Sequence, residues 1–158
     1  MVPLVYNSEK PLETLDTYIS LYVSEEVKTE GLVRNIGSFN RFLETVSFSN
    51  GSILNISEIA RESQAGRKAV EGYLSILEDL LVAVQIPVFS KKAKRLLIAR
   101  PKFYFFDAGV FRAIRPTGPL DKPQEIDGIA LETLVLQHLR AWISYSGNNS
   151  KIFYWRTR

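Results

Sequence analysis

The sequence contains no cysteine and has a single histidine, His138, among its 158 residues. The missing thiols exclude disulfide bonds, zinc sites with cysteine ligands and a Cys–His catalytic pair. One histidine by itself cannot form a histidine-based metal site. A lone histidine within an apolar helix is most often structural, and we interpret His138 in this way.

Long hydrophobic runs are also missing. No stretch of about 18 apolar residues occurs, so the sequence predicts no membrane-spanning helix. The first ten residues, MVPLVYNSEK, lack the charged and apolar regions of a signal peptide. We therefore expect a cytoplasmic protein with no membrane partner. A hydrophobic content of 46% is sufficient for a buried core.

Apolar residues recur at helical spacing in the first third of the chain. Pro11 is expected to begin a helix over residues 11–30, which Gly31 ends. Ser38 is expected to cap a second helix, and this helix ends before Asn50. The chain is thus predicted to begin with helices.

A helix-turn-helix pattern follows. Either Asn55 or Ser57 can cap a short helix that ends near Gln64, and a tight turn containing Gly66 leads into a longer helix. The apolar positions of this longer helix are spaced by four, three and four residues, and they are Val70, Leu74, Leu77 and Leu81.

Two strand-like segments, residues 82–89 and 102–107, come directly after the helices and are rich in β-branched and aromatic residues. The stretch 91–102 holds six cations and no acid, although the net charge of the whole chain is only +3. Helices followed by a basic β-hairpin are typical of a winged helix, with the hairpin loop as the wing. The predicted fold class is therefore α+β, with a winged helix at its centre and a helix before it.

The remainder of the chain predicts a further, smaller unit. Residues 116–127 are rich in Pro, Gly and Asp and indicate a linker, and an apolar helix from Gly128 and a strand over 152–158 follow. A helix that is apolar on much of its circumference requires cover on more than one side. We divide the chain into a helical connector (1–37), a winged-helix domain (38–115), the linker (116–127) and an incomplete final unit (128–158).

Five ordered blocks of the sequence carry a family resemblance. They are FNRFLETVSFSNGSILNISEIARES, VEGYLSILEDLLVAVQIPVFS, KFYFFDAGVFRAI, LETLVLQHLRAW and FYWRTR. Together they resemble the C-terminal domain of unknown function of prokaryotic AAA+-type ATPases, over nearly the whole chain. The resemblance implies a winged helix followed by the start of a restriction-endonuclease-like α/β unit of the PD-(D/E)xK type. It also implies a fragment that lacks the ATPase module and the later strands of the nuclease-like unit.

This resemblance limits the chemistry expected of the chain. No G-x-x-x-x-G-K-[ST] motif occurs, so ATP and Mg²⁺ are implied only for a parent protein that contains the ATPase module. Glu132 matches the family's helix carboxylate and is a weak candidate for a catalytic, metal-binding acid, whereas the alternative is an ordinary solvated glutamate. We expect no enzymatic activity and no metal site in this chain alone. The unpaired strand at 152–157 is expected to promote homo-oligomers.

The basic residues give the best functional signal, because several cations on a protruding hairpin bind DNA phosphates without reading sequence. The candidate DNA-binding residues are Arg67 and Lys68 in the recognition helix, and Lys91, Lys92, Lys94, Arg95, Arg100 and Lys102 in the wing. The leading hypothesis is a DNA-contacting or regulatory module whose partners are duplex DNA, bound weakly, and the parent's own ATPase module. Alternatives are a protein-interaction module with a solvated basic loop, and an inactive part of a nuclease.

Asp107 and two aromatic sets complete the candidates. Asp107 follows the strand-like segment 102–107 and is either a metal ligand or a helix N-cap, of which we favour the cap. The aromatic residues at 103–106 and 153–155 are candidates for base stacking. Strand alternation favours core packing for at least half of each set.

Overall fold

The computed structural model describes residues 5, 7–19, 24–29, 33, 35–90, 99–147 and 149–156. Helices and a small antiparallel sheet confirm the α+β class. The helices are α1 (Pro11–Thr17), α2 (Ser24–Thr29), α3 (Ile36–Ser47), α4 (Ile56–Glu62), α5 (Arg67–Asp79), α6 (Ala108–Ile114) and α7 (Pro123–Ser146). The strands are β1 (Ser52–Ile53), β2 (Ala83–Ile86) and β3 (Lys102–Phe105).

The first helices agree with the prediction in part. Pro11 is the first residue of α1, as expected, and α1 and α2 both lie within the predicted helix, whereas residues 20–23 between them lie outside the described residues. The N-cap of α3 is Asn35, whose side chain accepts a hydrogen bond from the Ser38 amide at 3.0 Å. The prediction of Ser38 as the cap was therefore wrong. The helix begins earlier because Asn35 accepts a hydrogen bond from the amide three residues ahead.

The segment predicted as a helix-turn-helix contains two consecutive helices, α4 and α5, separated by a short turn. Asn55 occupies the N-cap position of α4, but its side chain does not cap the backbone amides of the helix. Its side-chain amide instead donates a hydrogen bond to the carboxylate of Glu58. At the end of each helix the chain reverses through a residue with positive φ, Gln64 at 53° and Leu81 at 59°. The prediction that the longer helix includes Leu81 was wrong, because α5 ends at Asp79 and Leu81 lies beyond it, 75% exposed.

The sheet has the order β1–β3–β2, with both pairs antiparallel. The predicted pairing of the two strand-like segments is confirmed, with Ala83 opposite Phe105 and Ile86 opposite Lys102. The sequence did not predict β1, which pairs with the other edge of β3. Most of the predicted wing, residues 91–98, lies outside the described residues.

The larger of two hydrophobic clusters among the described residues joins the helices to the sheet. Phe103 and Phe105 are buried with their rings in edge-to-face contact at 5.1 Å, and Tyr104 between them is also buried. Core packing is thereby confirmed for the first aromatic set. Phe39 and Phe42 of α3 pack against the ring of Tyr73 on α5.

Helix α7 is longer than predicted. It begins at Pro123 and includes Gly128, so the second half of the predicted linker starts the helix. A proline at the first position and Glu125 in the first turn both suit a helix N-terminus. Ala130 of α7 belongs to the same core cluster as α3 and β3. The division into domains stays a prediction. None of the helices in the described ranges is long and apolar enough to cross a membrane.

The C-terminal segment forms a single bridge where a strand was predicted. Tyr154 pairs in parallel with Val88, and its amide donates to the Pro87 carbonyl at 3.0 Å. The Phe89 amide in turn donates to the Tyr154 carbonyl at 2.8 Å. The expectation of a wholly unpaired segment was therefore wrong, because the residues after β2 occupy one of its edges. Residues 157 and 158 lie outside the described part of the chain.

Candidate nucleic-acid interface

Helix α5 has one buried face and one exposed face. Its buried residues are Val70, Leu74 and Leu77, which follow the predicted spacing. The exposed residues on the opposite side are Arg67, Lys68, Glu71, Gly72 and Ser75. This is the side that the second helix of a helix-turn-helix presents to DNA.

The exposed face of α5 has little net positive charge. Arg67 donates to Glu71 at 3.2 Å, so one of the two cations in the first turn is paired with an acid one turn away. Lys68 is exposed. An added Cβ at Gly72 would meet nothing within 4 Å, which leaves the middle of the face flat and accessible. At the acidic end, Glu78 accepts a hydrogen bond from Gln85 of β2.

The predicted wing cations are described only in part. Lys91, Lys92, Lys94 and Arg95 lie outside the described residues, and their candidate role stays a prediction. Arg100 is exposed, and its carbonyl accepts a hydrogen bond from the Tyr154 hydroxyl at 2.7 Å. Lys102 forms an ion pair with Glu132 at 3.1 Å, and its side chain is 26% exposed.

Glu132 is the centre of a polar cluster between β3 and α7. Its Oε1 atom accepts hydrogen bonds from the Tyr104 hydroxyl at 2.5 Å and from Lys102. Burial, together with the hydrogen bond and the negative charge of Glu132, raises the pKa of Tyr104 well above its ordinary value. Within the described ranges, no group of three or more His, Cys, Asp or Glu residues is placed to hold a metal ion.

Asp107 is the N-cap of α6, as predicted. Its Oδ1 atom accepts hydrogen bonds from the amides of Gly109 at 2.7 Å and Val110 at 3.2 Å, and Gln137 of α7 donates to Oδ2 at 3.3 Å. Burial raises the pKa of Asp107, but interactions with the carboxylate, those two amides among them, outweigh burial and lower the pKa below its ordinary value.

Asn50 is a structural residue that the sequence predicted only as a helix breaker. Its side chain is buried, and its amide donates to the Thr133 hydroxyl at 2.8 Å. Its side-chain carbonyl oxygen accepts a hydrogen bond from the Phe105 backbone amide at 2.8 Å. Asn50 therefore connects β3 to α7, and no local pattern indicates this because Thr133 lies 83 positions away.

The remaining candidates lie mostly on the surface. His138 is exposed, and its Nδ1 atom lies 2.8 Å from the Leu134 carbonyl, so its described contact is within α7 rather than in the core. The second aromatic set also departs from the prediction of core packing. Phe153 and Trp155 form an exposed cluster with Phe89, at ring distances of 6.0 and 5.3 Å.

Comparison with known proteins identifies a family. A sequence model described as a domain of unknown function (DUF8612) matches residues 3–121. The chain belongs to this family. The DUF8612 match includes every element from α1 to α6 and ends before α7. No curated protein and no solved structure matches the chain.

Proposed function

We propose that the segment from α3 to β3 is a winged helix that contacts duplex DNA weakly through the phosphates. The element order α3–β1–α4–α5–β2–β3 and the sheet order β1–β3–β2 support this proposal. The observation that carries it is the exposed outer face of α5, which lies opposite its buried residues and directly after the turn from α4.

The distribution of charge favours phosphate contact over base reading. Arg67 and Lys68 lie in the first turn of α5, where the helix dipole also favours an anion. Glu71 and Asp79 leave the later turns acidic. Four further cations occur in sequence between β2 and β3, at positions 91–95. Binding of this kind depends steeply on salt concentration.

The same proposal includes the role of the chain in a larger protein. From the resemblance, we place it as the C-terminal, non-ATPase part of an AAA+-type ATPase, whose nucleotide module would bind ATP and Mg²⁺. In such a protein the winged helix would bind DNA or regulate the ATPase. The nuclease alternative requires carboxylates in addition to Glu132, which already accepts hydrogen bonds from Tyr104 and Lys102.

Fluorescence anisotropy of labelled duplex DNA tests the proposal. The chain is compared at two salt concentrations with a variant in which Lys91, Lys92, Lys94 and Arg95 are replaced by Ala. We expect affinity to fall with salt, and the slope of log K against log salt to decrease by about 3 to 4 in the variant, because each phosphate contact contributes about 0.9.

A control with equal charge change separates local contact from general attraction. It replaces four exposed lysines outside the helix-turn-helix, Lys10, Lys28, Lys122 and Lys151, by Ala. This control is expected to bind nearly as well as the original chain. Equal losses in both variants, or no binding at low salt, would contradict DNA contact by the winged helix.

A protein-interaction function is the second candidate, and one observation favours it. Helix α7 exposes large apolar side chains, among them Leu131, Val135 and Trp142. Contiguous exposed apolar surface indicates a binding site for another macromolecule. Binding of a protein to such a surface depends weakly on salt, in contrast to phosphate contact.

A further inference from the structure

Helix α7 has an apolar face on the side turned away from the core. Ala130, Thr133 and Leu136 are its buried residues. The opposite side carries residues at alternating spacings of three and four, which we call the α7 seam: Gly128, Leu131, Val135, His138, Trp142 and Tyr145. Leu131 and Trp142 are each 61% exposed, and Tyr145 is 90% exposed. Alternation of three and four is the heptad spacing by which one helix packs along another.

We propose that the α7 seam packs antiparallel against the α7 seam of a second copy of this chain. The two helices are related by a two-fold axis between positions 136 and 137, so that the same surface is used on both copies. This inference concerns a surface outside the proposed winged helix and does not depend on DNA binding.

The sizes of the seam residues match in the antiparallel register. Gly128 lies opposite Tyr145 of the second copy, and Leu131 lies opposite its Trp142. An added Cβ at Gly128 would meet nothing within 4 Å, so the bare helix surface there can receive a tyrosine ring. A parallel pair would place the two Trp142 rings together and leave a gap between the two glycines. Facing positions that alternate in size fill an interface without voids.

The helix dipoles of α7 favour the same orientation. An antiparallel pair opposes the two dipoles, whereas a parallel pair aligns them. The three acids of α7, Glu125, Asp127 and Glu132, all lie in its first half, and each forms an ion pair with a cation of the same chain. These acids therefore contribute little to the choice of orientation.

The exposed area is of the order that a stable dimer requires. Leu134 and Leu139 flank the seam and are 39% and 46% exposed, and Val135 within the seam is 51% exposed. Together with the seam they form several hundred Å² of apolar surface, against the roughly 800 Å² that each partner contributes to a standard interface. A depression of about 340 Å³, lined by residues of α7 from Leu134 to Trp142, provides a hole for an apolar side chain of the second copy.

Analytical ultracentrifugation of the chain tests the pairing. Interfaces of standard size have dissociation constants from micromolar to picomolar, so we expect a dimer at about 100 μM. Trp142→Glu is expected to raise the dissociation constant by about thirtyfold or more, as for a large aromatic side chain that is buried in an interface. Leu120→Glu is the matched control, because Leu120 is 95% exposed and lies outside α7. Far-UV circular dichroism confirms that each variant is folded.

Three results would overturn the proposal. They are a monomer at about 100 μM, where a standard interface gives a dimer, equal dissociation by the Leu120 control, and a dimer that Trp155→Glu rather than Trp142→Glu dissociates. The last would move self-association to the exposed aromatic cluster of the C-terminal segment.

Disulfide trapping tests the orientation, since the chain contains no native cysteine. Gly128→Cys and Tyr145→Cys variants are mixed and oxidised, and we expect a disulfide between the two different variants. Each variant alone is expected to stay largely uncross-linked. Efficient cross-linking of each variant with itself would instead show a parallel pair, and the antiparallel proposal would be wrong.

Discussion

The hydroxyl of Tyr104 donates a hydrogen bond to Oε1 of Glu132 over 2.5 Å, which joins β3 to α7 across 28 positions of sequence. Lys102 donates to the same oxygen from two residues earlier on β3. The phenol is buried, and the carboxylate is half exposed. This cluster holds α7, which lies beyond the family-matched residues, to the sheet within them.

Tyr104→Phe removes this hydrogen bond and keeps the ring. We expect the free energy of unfolding to fall by about 1 to 2 kcal/mol, because the acceptor is charged but partly solvated. Urea denaturation at neutral pH measures the change. Tyr145→Phe is the control, because Tyr145 is almost fully exposed and should change stability by less than about 0.5 kcal/mol.

The raised pKa of Tyr104 predicts a loss of stability in alkali. A folded-state pKa above the unfolded value means that the stabilisation is complete below the ordinary tyrosine pKa of about 10 and is lost as the pH rises through the folded value. Above pH 10, stability should therefore fall more steeply in the original chain than in Tyr104→Phe. Parallel pH profiles for the two proteins would contradict the prediction.

Asn50→Ala should destabilise the fold by about 1 to 3 kcal/mol, because it leaves the buried Phe105 amide without its acceptor. Thermal or urea unfolding measures the effect. Asn55→Ala provides the comparison, since Asn55 is only partly buried and donates to the exposed Glu58. Similar decreases in the free energy of unfolding at both positions would show that the hydrogen bonds of Asn50 to Thr133 and Phe105 add no particular stability.

The lowered pKa of Asp107 predicts acid sensitivity. Its stabilisation is present above the unfolded pKa of about 4 and is lost as the pH falls through the lower folded value. Asp107→Asn keeps a capping oxygen but has no charge to titrate. The stability advantage of the original chain over Asp107→Asn should therefore decrease between pH 6 and pH 3. An advantage that is constant with pH would show that the charge of Asp107 is not involved.

Leu81→Gly should stabilise the protein by about 1 kcal/mol, because Leu81 is exposed and has a φ of 59°, a conformation that costs residues other than glycine about 1 to 2 kcal/mol. Leu81→Ala removes the side chain but keeps a Cβ, so it should give no such gain. The melting temperatures of both variants, compared with that of the original chain, measure the two changes in stability. An equal gain from alanine would attribute the effect to the lost side chain instead of the backbone.

Several elements could be predicted because their signals are local. The spacing of Val70, Leu74 and Leu77 identifies the buried face of α5, and Asp107 follows a strand directly before a helix. The errors also have local causes. Ser38 and Asn35 both suit an N-cap, and only the backbone geometry selects Asn35. A two-residue strand such as β1 is too short to show alternation.

Local sequence patterns were sufficient to predict helices α4 and α5, the two strands that follow them and the cap of α6, because periodicity and capping act over a few residues. Three features depend on the tertiary structure. Asn50 donates a hydrogen bond to Thr133, and Glu132 accepts hydrogen bonds from Tyr104 and Lys102. The packing of α7 also determines which of its sides is exposed. These contacts join distant positions across the core, and their formation depends on how whole elements pack. The pattern around a single residue carries no information about such partners.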